Sequence, residues 1–422
     1  MNGDKLLWTA WRQRIFTAAW ILYAGYYICR KDIGASKGIG ITSLAVSLAC
    51  FGAMYAVGQV VGGSMADRHG ARRTALAGAS ISVLCTLALS VCNAPLLMLI
   101  LQLGNGFGQG FGWPALIKLL GGWFRGQERN IVLSWWSTSY ILGGLLASSI
   151  NEWLMLYVSS PSHRGFHPAY IASASLLIAC ALLFFKETHN LPETPAISTA
   201  ATDRLSQDDS WAQLLSNRDI RFISGVYFFL KMTRYTLLFW LPNYLVAAAG
   251  YRPYATSHVA SYFELFGFLG PLATGYAVQR YFKNKLMAMG AGMLFALAFL
   301  CLLHPLLASS SAFALVLSIA LMGILIHGAD ILISGMAVLE VVPARLHGRA
   351  AGLVNAVGSI GQALSPLLIT VYVSHLGWTS LFDLFVFFAL VAGTLCAFGA
   401  RKNTNDKPVL NRSVLEPAHT SH

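Results

Sequence analysis

Runs of about 18 or more predominantly apolar residues recur along the whole of this 422-residue chain. That feature decides most of what the chain can become. Each run matches the thickness of a bilayer's hydrocarbon core, and in lipid only helices and closed barrels satisfy every backbone amide. The runs are therefore read as spanning helices, twelve in all, near 15–30, 41–65, 74–92, 95–117, 131–158, 168–185, 219–248, 257–279, 286–306, 311–340, 350–373 and 379–399. Only 11% of the residues are charged, about half the share in soluble domains. The first run ends at Arg30 without a small-residue cleavage site, so it is expected to be a span rather than a removed leader.

The connecting segments are short except for residues 187–217, which are polar and separate six spans from six. The expected organisation is a first bundle (1–186), a cytoplasmic linker (187–217), a second bundle (218–400) and a cytoplasmic tail (401–422). With both termini placed inside, 22 of the 29 lysines and arginines fall in cytoplasmic segments. The outer loops then hold four: Lys31, Lys37, Arg164 and Arg252. This asymmetry is the positive-inside rule, and it predicts a multi-pass protein of the cell's inner (plasma) membrane. The net charge of +12 then follows from topology, and no nucleic-acid partner is expected. Seven cysteines, an odd number without a CxxC pair, lie in or at the ends of apolar spans, which supports neither a disulfide framework nor a zinc site. No GxxxxGK[ST], HExxH or GxSxG occurs, and the GxG runs lie inside spans with no strand before them. No enzyme activity, cofactor or metal is expected.

Three cations remain at or within spans: Arg30, Lys231 and Arg234. Arg30 lies seven residues after Tyr23 and three after Tyr27; Arg234 lies seven after Tyr227 and three after Lys231. These offsets put each set on one helical face. The faces sit in spans 1 and 7, which open the two halves. Paired halves with a binding site at their interface are transporter architecture. A buried arginine costs roughly 2.5–3.5 kcal/mol on insertion scales and cannot shed its charge. Two guanidinium groups lining a water-filled cavity would suit a phosphate dianion, each fork making bidentate charge-assisted bonds with nearby tyrosines adding donors. The competing reading is that each arginine snorkels to an interface.

Glu264, His327 and Asp330 are the other ionisable residues within spans, and such residues are functional candidates by default. Glu264 is expected either to pair with Lys231 or Arg234 in the empty site or to form a permanent structural ion pair. His327 and Asp330, three apart, share a face of span 10. They are read as ligands for sugar hydroxyls or proton carriers, against the alternative that the histidine only packs.

The segment GGSMADRHGARR, residues 62–73, closely resembles the G-x-x-x-D-R-x-G-R-R signature of the major facilitator superfamily. The resemblance implies an all-α membrane protein, twelve transmembrane helices in two pseudo-symmetric six-helix bundles, and alternating access. It also implies that Asp67, Arg68, Arg72 and Arg73 gate the cytoplasmic side. The segment GNGFGQGFGWPALIKLLGGWFRGQER, residues 104–129, is similar to the span-4 signature of the organophosphate:phosphate antiporter family. Taken alone, its glycines mean close helix packing and its proline a bend. In that family two phosphate-binding arginines stand in spans 1 and 7, a role that falls by position on Arg30 and Arg234, with Tyr23 and Tyr27 matching span-1 tyrosines. In span 8, Glu264 matches an acidic residue followed by spaced glycines. Gln59 stands where the family often has a lysine, and Tyr140 where glycerol-phosphate members have a histidine; Asp32 departs from the pattern after Arg30 and Lys31. Lys231 is expected to restore the cation absent at Gln59.

These residues together predict a secondary transporter that exchanges a phosphorylated three- to six-carbon metabolite, of the hexose 6-phosphate or glycerol 3-phosphate class, for inorganic phosphate, working as a monomer. Two other readings stand beside it: a membrane sensor that binds a sugar phosphate without useful flux, and a proton-coupled organic-anion symporter using His327 or Glu264.

Overall fold

Helices account for all the regular structure in the computed structural model, which describes residues 2–30, 41–92, 94–157, 168–188, 207–283 and 285–403. The first six spans are α1 (Asn2–Arg30), α2 (Ile41–His69), α3 (Ala71–Leu89), α4 with α5 (Pro95–Gly110 and Gly112–Trp123), α6 (Gly126–Tyr157) and α7 (Pro168–Glu187). A short helix, α8 (Gln207–Ser216), precedes the second six. Those are α9 (Arg218–Ala247), α10 with α11 (Pro253–Gly267 and Leu269–Arg280), α12 (Leu286–Ser310), α13 with α14 (Ala312–Ile331 and Val338–Val341), α15 (His347–Leu376) and α16 (Leu381–Asn403). Six spans are long and apolar enough to cross a membrane on length and composition alone. Neither α1 nor α9 is among them; α1 holds the buried Arg30, and α9 the buried Lys231 and Arg234. Lys31, Asp32, Lys37, Arg164, most of the linker and most of the tail lie outside the described residues.

Proline explains two of the breaks. A proline ring clashes with the carbonyl four residues earlier and donates no hydrogen bond. Those positions for Pro114 and Pro271 are Gly110 and Gly267, where α4 and α10 end. The third irregularity is a π-helical turn, Leu332–Ala337, joining α13 to α14. It begins two residues after Asp330, and Ser334 within it donates to the Asp330 carbonyl at 2.7 Å. The breaks in spans 4 and 10 meet between the halves: Trp113 Nε1 donates to the Ser334 carbonyl at 3.4 Å.

The halves join most extensively along α2 and α15. Without a hydrophobic driving force in lipid, helices associate by close contact of small residues. A Cβ on Gly352 would sit 2.3 Å from the Gln59 carbonyl oxygen, and one on Gly63 would sit 2.4 Å from that of Gly348. Glycine is required at both positions because backbone meets backbone. A second seam joins α6 to α11, where Gly275 lies against Ser134. Together the seams leave α1, α2 and α6 of one half facing α9, α13 and α15 of the other around a common centre.

Candidate functional site

That centre is where the polar faces of α1 and α9 point. Arg30, Arg234 and Lys231 are 9%, 6% and 2% exposed. Arg30 does not snorkel. Its Nε donates to Gln109 Oε1 at 2.8 Å, and its guanidinium lies over the rings of Tyr27 and Tyr55, 4.3 and 4.4 Å from their centroids. Gln109 is held by its other end: Nε2 donates to Asn105 Oδ1 at 3.1 Å, and Asn105 donates to the Cys29 carbonyl at 3.1 Å. The amide oxygen of Gln109 is thereby turned toward Arg30. Nη1 and Nη2 of Arg30 have no hydrogen-bond partner among the described residues.

Arg234 is differently placed. Its Nη1 pairs with Asp330 Oδ2 at 3.2 Å, and its guanidinium lies 4.5 Å from the Tyr140 ring centroid. Asp330, 1% exposed, also accepts from Tyr140 and Tyr227, each at 3.0 Å. Glu264 was expected either to pair with Lys231 or Arg234 or to form a permanent structural ion pair; the acid against Arg234 is Asp330. The reason is helical phase: α13 turns Asp330 into the interface between the halves, while Glu264 is only partly buried in α10. His327 and Asp330 share a side of α13 but behave differently. His327 Nδ1 bonds to the Gly323 carbonyl of its own helix at 2.8 Å, and its ring packs between Tyr140 and Phe263. On that side it is a satisfied packing histidine.

Lys231 Nζ donates to Ser359 Oγ at 2.7 Å, and Ser359 donates to Gln59 Oε1 at 2.8 Å. A hydroxyl on α15 thus links the α9 lysine to the α2 glutamine that stands where a cation was expected. Tyr23 is one step back from the guanidinium groups, packed against Tyr27, Trp113 and Trp136.

The cations are joined through tyrosine faces into a cycle. Tyr55 lies beneath both Arg30 and Lys231. Tyr235 lies near both Lys231 and Arg234. The stacked pair Tyr27–Tyr140, 5.9 Å between centroids, closes the circuit from Arg30 to Arg234. Cation–π contact and one carboxylate therefore meet part of the desolvation cost. The expected water-filled cavity is not open in this conformation; the site is enclosed by aromatic rings. Among the described residues, three cations and one carboxylate meet here, which leaves two positive charges without an ion-pair partner. An arrangement of this kind can grip a dianion from two halves of the protein at once.

A second cluster closes one face of the molecule. The Asp67 carboxylate, 2% exposed, pairs with Lys118 Nζ at 2.6 Å. It also accepts from the backbone amides of Gly348 (3.0 Å) and Arg349 (2.8 Å), in the first turn of α15. A carboxylate there caps orphan amides and meets the positive end of the helix dipole. Arg72 turns instead to the Phe185 carbonyl and ring, and Arg68 and Arg73 are exposed.

Sequence reasoning missed Tyr55, Tyr235 and Ser359 at the centre, and Lys118 and Arg349 at the latch. Tyr55 had a signal, being one helical turn before Gln59. Tyr235 and Ser359 had none, and Lys118 and Arg349 were indistinguishable from topological anchors. Among the described residues no group of three or more His, Cys, Asp or Glu could hold a metal.

The sequence profile described as Major Facilitator Superfamily matches residues 15–328 and 226–419. Similar proteins include a glycerol-3-phosphate transporter of Bacillus subtilis, 27% identical over 90% of each chain. A phosphoglycerate transporter protein of Salmonella typhimurium is 25% identical, covering 93% of this chain and 89% of its own. A probable hexose phosphate transport protein of Chlamydia muridarum is 24% identical over 90% and 89%. In fold, the chain is similar to the human organic anion transporter MFSD10, with a TM-score of 0.75 at 13% identity over 91% of this chain and 99% of that one. It is also similar to FucP in the outward conformation, with a TM-score of 0.70 at 13% identity over 91% and 98%.

Proposed function

Since this chain belongs to the major facilitator superfamily, we propose that it is a plasma-membrane carrier exchanging a phosphorylated sugar or glycerol metabolite for inorganic phosphate. The observation that carries the reading is the pair of buried Nη atoms on Arg30, without a hydrogen-bond partner among the described residues, set two stacked rings from Arg234 on the opposite half. A buried donor without an acceptor is costly, and a charged one more so; a phosphoryl group supplies the acceptors. The names of the similar transporters point the same way.

Arg30 presents its fork to one edge of the phosphoryl group, since Gln109 occupies only Nε. Arg234 reaches the group from the second half, loosening its hold on Asp330, which keeps two tyrosine donors. A dianion bridging α1 and α9 draws the halves together. The empty centre, with two uncompensated charges, resists reorientation, and either anion relieves it. That couples inward and outward movement without ATP. The Asp67 latch lies on the cytoplasmic face in this reading, with both termini on the same side.

Proteoliposomes loaded with phosphate test it. The purified protein is expected to catalyse uptake of labelled phosphate that unlabelled glycerol 3-phosphate or glucose 6-phosphate suppresses. Arg30→Lys and Arg234→Lys are each expected to lose this exchange, because a point charge does not reproduce the planar fork. Binding without exchange would mean a receptor, and exchange retained by either variant would refute the paired-arginine site.

A further inference from the structure

We infer that Lys231 is the residue that sets which phosphate esters the site accepts: those with two charges on the phosphoryl group and none on the rest of the molecule. The inference rests on the exchange function proposed above and concerns the same site. Its basis is the charge inventory and the donor inventory of the enclosed centre.

The inventory of charge is unbalanced in one place. Arg234 has Asp330. Lys231 has a neutral hydroxyl, Ser359 Oγ, and the faces of Tyr55, Tyr227 and Tyr235 at 5.2, 5.4 and 5.8 Å. Arg30 has a neutral amide and two ring faces. Among the described residues, therefore, neither Lys231 nor Arg30 has a carboxylate within ion-pair distance, and both lie over the single ring of Tyr55. An ammonium carries three donors, of which the hydroxyl takes one. Among the described residues, Nη1 and Nη2 of Arg30 and Nε2 of the fully buried Gln59 are also without acceptors. The unfilled positions on Lys231, Arg30 and Gln59 are donors, so they call for an acceptor-only group, an ionised phosphoryl. A doubly charged phosphomonoester balances the two free cations. A phosphodiester, with one charge, leaves an unpaired buried cation. A phosphorylated carboxylic acid brings an extra negative charge into a low-dielectric site with no cation left for it. The chemical class is thus the phosphomonoester of a polyol or sugar.

The link Lys231–Ser359–Gln59 also fixes where else the charge could sit. Position 59 shares the Ser359 hydroxyl with Lys231, so a cation on α2 would occupy the same corner.

The test is competition against labelled phosphate self-exchange in proteoliposomes at pH 7.5. The probes are glycerol 3-phosphate, its singly charged methyl diester, and 3-phosphoglycerate. For the wild type, glycerol 3-phosphate is expected to compete at least tenfold better than either of the others. Lys231→Gln, checked for folding by size exclusion, is expected to weaken glycerol 3-phosphate roughly tenfold or more, the scale of a lost hydrogen bond to a charged group. It should narrow or invert the gap to the diester. Lys231→Arg and the double variant Lys231→Gln with Gln59→Lys are each expected to restore the wild-type ranking. If the wild type exchanges phosphate but takes 3-phosphoglycerate as readily as glycerol 3-phosphate, or if Lys231→Gln keeps the ranking, this inference falls and the exchange function stands. Absence of any phosphate exchange by the wild type would overturn both.

Discussion

Replacing Asp67 by asparagine should open the face that Asp67 closes. The carboxylate accepts three hydrogen bonds, from Lys118 Nζ at 2.6 Å and from the amides of Gly348 and Arg349 at 3.0 and 2.8 Å. All three are charge-assisted, and at 2% exposure the side chain is little screened by solvent. Hydrogen bonds to charged groups contribute about 1.5–3 kcal/mol each against about 1 for neutral ones. Asparagine, with its carbonyl at the Oδ1 position, keeps Lys118 and the Gly348 amide only at the neutral level, while its NH2 at the Oδ2 position loses the bond from the Arg349 amide. It also leaves Lys118 facing Arg349, whose Nη1 lies 4.0 Å from the carboxylate, with no anion between. We expect a net loss of about 3 kcal/mol from the closed state, which at 1.4 kcal/mol per decade shifts the open population by about a hundredfold. The reporter is Ser134→Cys in a background without the seven native cysteines. Ser134 is buried against Gly275 across the α6–α11 seam, and is reached by a maleimide only when that seam parts. In detergent, labelling should run about a hundredfold faster with Asp67→Asn than without it. Lys118→Met should give a smaller acceleration, since the amide contacts survive. A labelling rate within threefold of the parent, in a protein that still elutes as a single species, would refute the idea that this carboxylate holds the two halves shut.

Other consequences follow from the centre and the seams. Gln109→Leu removes the acceptor that aims Arg30, and should raise the half-saturating phosphate concentration about tenfold while leaving the protein folded, as measured by exchange and size exclusion. Asp330→Asn breaks a buried pair, which typically costs about 3–5 kcal/mol; the melting midpoint should fall without ligand, and phosphate should raise it by more than in the wild type, because an anion then stabilises the site alone. Gly352→Ala places a methyl group where the Gln59 carbonyl already stands, and should destabilise by about 1–3 kcal/mol, seen as a lower melting midpoint in detergent.

The span pattern was legible because its cause is local: a bilayer accepts only continuous apolar helices, so the runs themselves reveal the spans. The placing of Arg30 and Arg234 on inward faces was legible because offsets of three and seven are fixed by helix geometry. The breaks at Gly110 and Gly267 were half legible, through the prolines four residues on. Which acid answers which cation was not. Glu264 and Asp330 look alike in sequence, and only the rotation of α13 against α9, with a π-helical turn just after it, puts Asp330 on Arg234. Nor could a sequence tell Lys118, which meets Asp67, from the other lysines of the same face, or show that a lysine on α9 and a glutamine on α2 share one hydroxyl on α15. The sequence by itself determined a twelve-span membrane chain with cations turned inward in both halves. Tertiary structure alone decided the pairing of those cations, because charges far apart along the chain meet only when two bundles close on each other.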